Sequence, residues 1–220
     1  MSSQLPPIVE QRRLKSPAIT PQALAWREGN LWMGSRDLRR IYAIDPVRWT
    51  VLDESVSPGI PWAAVAIDNG IVFTIGEGKD DDRFLRLYRP REGFADAPRT
   101  ACPEFTGSYL SYDSRDLYLS QWYKHRILRL DANGTVLSSI DVGAEISGHT
   151  FVDGAIYVLR GTEQNGEDWV MTQIDPRESP PAIKDLARVP FACRSLAFDG
   201  EHFWANHRVA NEIVMFALPD

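Results

Sequence analysis

The sequence predicts an all-β fold, a five-bladed β-propeller closed by its N-terminal strand joining the last blade. Three observations carry this: a strand-and-turn unit that recurs five times, an aromatic anchor at a fixed place in each unit, and a spare N-terminal segment facing an incomplete last unit. The unit is plainest in residues 22–46, QALAWREGNLWMGSRDLRRIYAIDP. Its apolar runs are too short for helices, and Gly, Asn, Asp and Pro punctuate them, so each run reads as a strand. One such unit cannot bury both of its faces, but stacked copies can.

The anchors are Trp32, Phe73, Tyr118, Tyr157 and Trp204, separated by 41, 45, 39 and 47 residues. That period suits a four-stranded blade of about 40–50 residues. Each anchor marks a second strand. First strands are expected over 23–26, 63–68, 108–113, 149–153 and 194–199. Third strands are expected over 40–46, 84–90, 126–132, 170–176 and 212–218, several of them ending in Asp-Pro or Asp-Ala, which is turn chemistry. Outer strands are expected over 51–55, 99–102, 136–142 and 184–189. The fifth unit has no outer strand of its own, and residues 8–19 are expected to supply it, closing the ring and removing two open sheet edges. The chain then forms one domain with blades at about 22–61, 62–105, 106–147, 148–191 and 192–220 plus 8–19. The competing architecture is an open sheet or a seven-stranded sandwich.

The 220 residues suffice for one well-buried core. A net charge of −6 without a basic stripe argues against nucleic acid as partner. The apolar runs are too short to span a membrane, and residues 1–13 lack the profile of an export signal, so a soluble, cytoplasmic protein is expected. Cys102 and Cys193 fall in non-adjacent blades and are expected as free, buried thiols.

Ligands of closed repeat rings sit at the channel mouth, where each blade contributes a side chain or two. Three residues past the anchors stand Ser35, Gly76, Gln121, Arg160 and His207. One further on stand Arg36, Glu77, Trp122, Gly161 and Arg208. The first strands begin with Gln22, Trp62, Ser108 and Tyr109, His149 and Arg194. Polar and bulky groups at such positions suggest a pocket with a cationic wall and an aromatic wall. Arginines bind carboxylate or phosphate through paired N–H donors, and aromatic walls hold a flat or apolar body. The expected site therefore uses Arg160 and Arg194 for an anionic group, and Trp62, Trp122 and Tyr109 for the body. Gln121, Gln22 and Asn206 orient it, and His149 or His207, with Glu77, moves the proton. The plainer alternative pairs Arg160 and Arg194 with Glu163, Glu167 or Asp168 as rim ion pairs and leaves both histidines structural.

Residues 76–82, GEGKDDD, offer oxygen ligands of the kind a divalent cation takes, but not at the spacing of a calcium loop, so a solvated charge run is favoured and no cofactor is assigned. Residues 161–168 form a long polar stretch able to serve as a lid over the mouth or as a plain flexible loop. His202 and His207 lack zinc spacing, no serine sits in a nucleophile elbow, and no phosphate-binding loop follows a strand.

The blade-one run 24–34 with 40–46, repeated in blade five as Ser195-Leu196-Ala197-Phe198-Asp199-Gly200 and Phe203-Trp204-Ala205-Asn206, resembles the small-molecule propellers: the senescence-marker and gluconolactonase proteins, virginiamycin B lyase and plant-type glutaminyl cyclases. The likeness is one of blades, shared by enzymes and non-enzymes. The cyclases have five blades, and Gln22-Ala23-Leu24 resembles their Gln-Gly-Leu. Where they open blade two with Glu-Gly-Leu or Glu-Gly-Ile, this chain has Pro61-Trp62-Ala63. The lactonase resemblance implies Glu, Asn and Asp on a metal, matched here only by Glu77 and Asn206. The lyase resemblance implies His and Glu around magnesium, with His149, His207 and Glu77 as the nearest counterparts. Three functions are thus expected in order: an enzyme acting on a small organic anion by hydrolysis or elimination, a non-catalytic ligand- or protein-binding ring, and a metal-dependent lactonase.

Overall fold

Each expected run folds as a strand in the computed structural model, which describes residues 5–95, 99–163 and 168–219. Blade one consists of Pro21–Arg27, Asn30–Ser35, Arg40–Asp45 and Thr50–Val56, running from the channel outwards. Blade two has Ile60–Ile67, Gly70–Glu77, Asp82–Arg89 and a short outer strand, Thr100–Ala101, with Gly93–Phe94 also paired to its third strand. Blade three has Leu110–Tyr112, Leu117–Gln121, Arg126–Leu130 and Val136–Asp141. Blade four has Glu145–Val152, Ala155–Thr162, Asp168–Ile174 and Ile183–Val189. Blade five has Cys193–Phe198, Phe203–His207 and Glu212–Ala217, and its outer strand is the N-terminal Val9–Lys15.

The turns follow from aspartates at the strand feet. Asp45 accepts the amides of Val47 and Arg48, and Asp131 those of Asn133 and Thr135. Asp113 and Asp199 serve blades three and five in the same way at the inner hairpin. A carboxylate that takes two amides replaces the ladder bonds lost at a turn.

Burial explains the ring. Among the described residues the core divides into five clusters, one per blade interface. Trp32, Ile41 and Ala43 of blade one meet Phe73, Ile75 and Tyr88 of blade two. Leu31, Met33 and Ile44 meet Trp204 and Ile213 of blade five, so no interface is left open. Each fully buried Phe, Leu or Ile contributes about 1.5–3 kcal/mol, and every blade contributes to two such interfaces. The N-terminal strand runs antiparallel to Glu212–Ala217, and Leu14 packs on the cluster around Trp204. Just before it, the Ile8 amide donates to Arg188 O and the Arg188 amide to Pro6 O, tying the same segment to blade four. Cys102 and Cys193 are buried thiols not joined to one another, and burial pushes the Cys102 thiol up to about 12. Among the described residues no helix is long and apolar enough to cross a membrane.

Candidate functional site

At one end of the channel the inner strands lose their register. The pairing of first and second strands shifts between Pro21 and Ala23, Pro61 and Ala63, Ile146 and Gly148, and Arg194 and Ala197. Blade three reaches a similar irregularity through Ser120, whose hydroxyl accepts the Tyr109 amide at 2.9 Å. A bulge re-aims the side chain of the extra residue. Here it frees Gln22 and Trp62 from the blade faces.

The resulting cavity, about 210 Å³, is lined by Trp62, Tyr109 and Trp122, by Arg36, Arg83, Arg194 and Arg208, and by Ser108, Tyr123 and Glu163. The Trp62 indole N–H donates to Asp81 at 3.0 Å, and the Arg83 guanidinium lies 4.1 Å from its ring centre. Arg83 also binds Asp81 at 2.6 Å and donates to Gly107 O at 3.0 Å. Gly76 leaves room for this arrangement. It pairs with Arg83 across the sheet, and a Cβ there would meet Asp81 Oδ1 at 1.6 Å and Trp62 Nε1 at 2.8 Å. Arg194 is buried, donates to Cys193 O at 2.6 Å, pairs with Glu163, and lies over the rings of Trp122 and Trp169.

Arg208 differs from its neighbours. Its Nη1 donates at 2.6 Å to the Oε1 of buried Gln22, a neutral amide. Among the described residues no carboxylate lies within ion-pair distance of it. Gln22 is held in turn by Trp62 O at 3.2 Å and by Asn206, whose Nδ2 donates to Gln22 O at 2.8 Å. Burial lowers the Arg208 pKa, and the charges of Arg194 and Arg36 lower it further. The charge of Glu163 acts the other way from a greater distance. Arginine remains protonated through such shifts, so the mouth holds a half-buried cation whose direct hydrogen-bond partner is a neutral amide. Tyr109 is fully buried beneath it, and burial raises its phenol pKa against the pull of Arg194.

The structure brings together Trp62, Tyr109, Trp122, Arg194 and, just below them, Gln22 and Asn206. It does not bring the others. Arg160 turns away from the mouth to a two-oxygen pair with Asp185, bonding also to Thr172 and Val142 O. Glu77 is held between Arg86 and Arg99 on the blade-two sheet. His207 faces the outer side of blade five, 3.4 Å from Glu212 and against Phe191. Gln121 lies beside the mouth with its amide used by Pro103 O, Thr106 and Arg126. His149 is buried in mid-strand, two residues beyond the bulged Ser147 at which blade four meets the mouth. Its Nδ1 lies 2.8 Å from Ser111 Oγ, its Nε2 has no hydrogen-bond partner, and burial lowers its pKa to about 4. The bulge displaced the repeat alignment by those two residues.

Of the rim ion pairs weighed from sequence, Arg194–Glu163 forms, whereas Glu167 and the rest of 164–167 lie outside the described residues. Arg36 and Arg208 stand at the right repeat position in the sequence. Arg83 was signalled only by the glycine across the sheet from it. The residues do not fit the lactonase metal: Glu77 and Asn206 are bound to different blades, and no group of three His, Cys, Asp or Glu able to hold a metal occurs among the described residues.

No protein-family model matches the chain, and no curated protein matches it in sequence. Solved structures share its fold. A glutaminyl cyclase from Myxococcus xanthus is similar at TM-score 0.72 and 11% identity, over 99% of this chain and 100% of that one. The PQQ-bound form of an aldose sugar dehydrogenase from Streptomyces coelicolor is similar at TM-score 0.58 and 11% identity, over 96% and 98%. A streptogramin B lyase is similar at TM-score 0.51 and 12% identity, over 94% and 97%. The chain thus has the architecture of a five-bladed β-propeller.

Proposed function

We propose that the bulged mouth binds a small organic anion and acts on it by hydrolysis or elimination. The observation that carries the reading is Arg208, a half-buried guanidinium satisfied by an amide and flanked by Arg36 and Arg194. A half-buried cation with no carboxylate within ion-pair distance costs free energy that an incoming anion offsets. The anion gains charge-assisted hydrogen bonds there, and Trp62, Tyr109 and Trp122 accept a flat body beside it. Among the described residues Glu163 is the one carboxylate lining the mouth, and Arg194 positions it. It is the group we assign as proton acceptor, from water in hydrolysis or from carbon in elimination. The enzymes among the structural neighbours support small-molecule chemistry in general.

The test has two stages. Tryptophan fluorescence should respond saturably to succinate and not to its diamide, with Arg208→Ala weakening succinate at least about tenfold. An unchanged variant overturns the site. The mono-4-nitrophenyl ester of terephthalate, whose rigid ring keeps the free carboxylate away from its own ester, should then be cleaved faster over background than 4-nitrophenyl benzoate, and Glu163→Gln should lower kcat more than it raises KM. Binding without turnover favours the second reading, a non-catalytic ligand-binding ring, which the position of both histidines and Glu77 outside the mouth also supports.

A further inference from the structure

A second cavity of about 250 Å³ adjoins the mouth, and Arg83, Ser108, Trp122 and Tyr123 line both. Its polar groups are already used. Asp81 is bound by Arg83 and the Trp62 indole, Lys124 pairs with Glu104, and the Gln121 amide has partners on both of its atoms. Asp80 stands exposed at the edge. The remaining surface is aromatic. Phe105 is 51% exposed yet held edge-to-face on Phe84, with ring centres 5.9 Å apart. Tyr123 is 91% exposed, carried outwards on the tight turn Trp122–Lys124. Apolar rings set in the open beside a charged pocket, and continuous with it, mark a surface that a ligand covers.

We propose that this shelf takes the tail of the same ligand. The substrates are then amphiphilic anions, a carboxylate joined to an aryl or branched alkyl group, with the head at Arg208 and the tail across Trp122, Tyr123 and Phe105. This rests on the anion reading of the mouth and names the substrate class that the reading leaves open. The shelf explains why one wall of the site is aromatic while its polar atoms are spent on the protein itself.

Propanoate, 3-phenylpropanoate and 5-phenylpentanoate separate the two readings when titrated against tryptophan fluorescence in the whole protein. Burying a phenyl-sized surface should raise affinity about tenfold or more from propanoate to the best phenyl acid. Phe105→Ala, which borders the second cavity and not the mouth, should remove much of that gain and leave propanoate unchanged. Tyr123→Ala should lower the ratio of phenyl-acid to propanoate affinity in the same direction, and because Tyr123 is so exposed its variant is informative even if Phe105→Ala fails to fold. Equal affinity for short and phenyl acids overturns the shelf while the anion site stands. A gain that survives both Phe105→Ala and Tyr123→Ala also overturns it. Failure of every acid to bind overturns both.

Discussion

The two ends of the central channel are built from the same five inner strands, yet they differ in side chains and in backbone. One end is bulged and carries four arginines, two tryptophans and Tyr109. The other stays in register, and Leu24, Ala25, Ala64, Ala66, Leu110 and Ala197 are among the residues that line its cavity of about 150 Å³. In-register pairing keeps side chains on the faces where the blades pack, so that end serves as scaffold. The irregular end turns polar residues out of the packing and into the mouth. The contrast teaches that a repeat fold acquires a site where its repeat is broken.

The largest effect should come from removing the closure. Deleting residues 2–15 strips the outer strand from blade five and the tie to Arg188, leaving Glu212–Ala217 as an open edge. The expected outcome is loss of the soluble monomer or of cooperative unfolding, read by size-exclusion chromatography and urea denaturation. Trp204→Ala should follow. Trp204 is buried, stacks between Trp26 and Trp49, and belongs to the in-register end. The loss should be about 3–5 kcal/mol by urea midpoint, with anion affinity in the surviving fold little changed. A large affinity change would mean that the two ends are not separable.

His149 lies between the ends and gives a pH test. It is neutral when folded and takes a proton only near pH 4, against 6.5 for the free side chain. The unfolded chain therefore binds the proton first. Stability should fall as pH drops from about 6.5 to about 4, by up to about 3 kcal/mol, and this contribution should level off below that. His149→Leu should flatten the step, since Leu24 occupies the matching rung of blade one, one before the residue paired with the anchor. A step that persists in the variant would assign it elsewhere. Smallest should be Gly76→Ala, which pushes Asp81 off the Trp62 indole. It should weaken succinate binding a few fold and unfold the protein little, checked by titration and thermal melting.

Much of the fold was legible in the sequence because blades are local. Trp32, Tyr118, Tyr157 and Trp204 recur at blade spacing, and Asp45, Asp131 and Asp199 write their own turns. The expected strands agree with the observed ones to within a few residues, apart from the earlier start of blade four's first strand at Glu145. The site was legible in part. Trp62, Tyr109, Trp122 and Arg194 reach one cavity because each stands where its blade begins, or just past the second strand. Arg160 and His207 occupy equivalent repeat positions but found partners on their own sheets, Asp185 and Glu212, which no spacing rule reveals. His149 was misplaced because an extra residue in a strand leaves no mark in the pattern of apolar residues.

The most direct test is a crystal structure of the protein soaked with 3-phenylpropanoate. The account predicts the carboxylate within hydrogen-bond distance of Arg208, with the ring against Trp122 or Tyr123. A carboxylate bound at Arg160 or at surface arginines, with Arg208 still on Gln22 and the mouth unchanged, would contradict it.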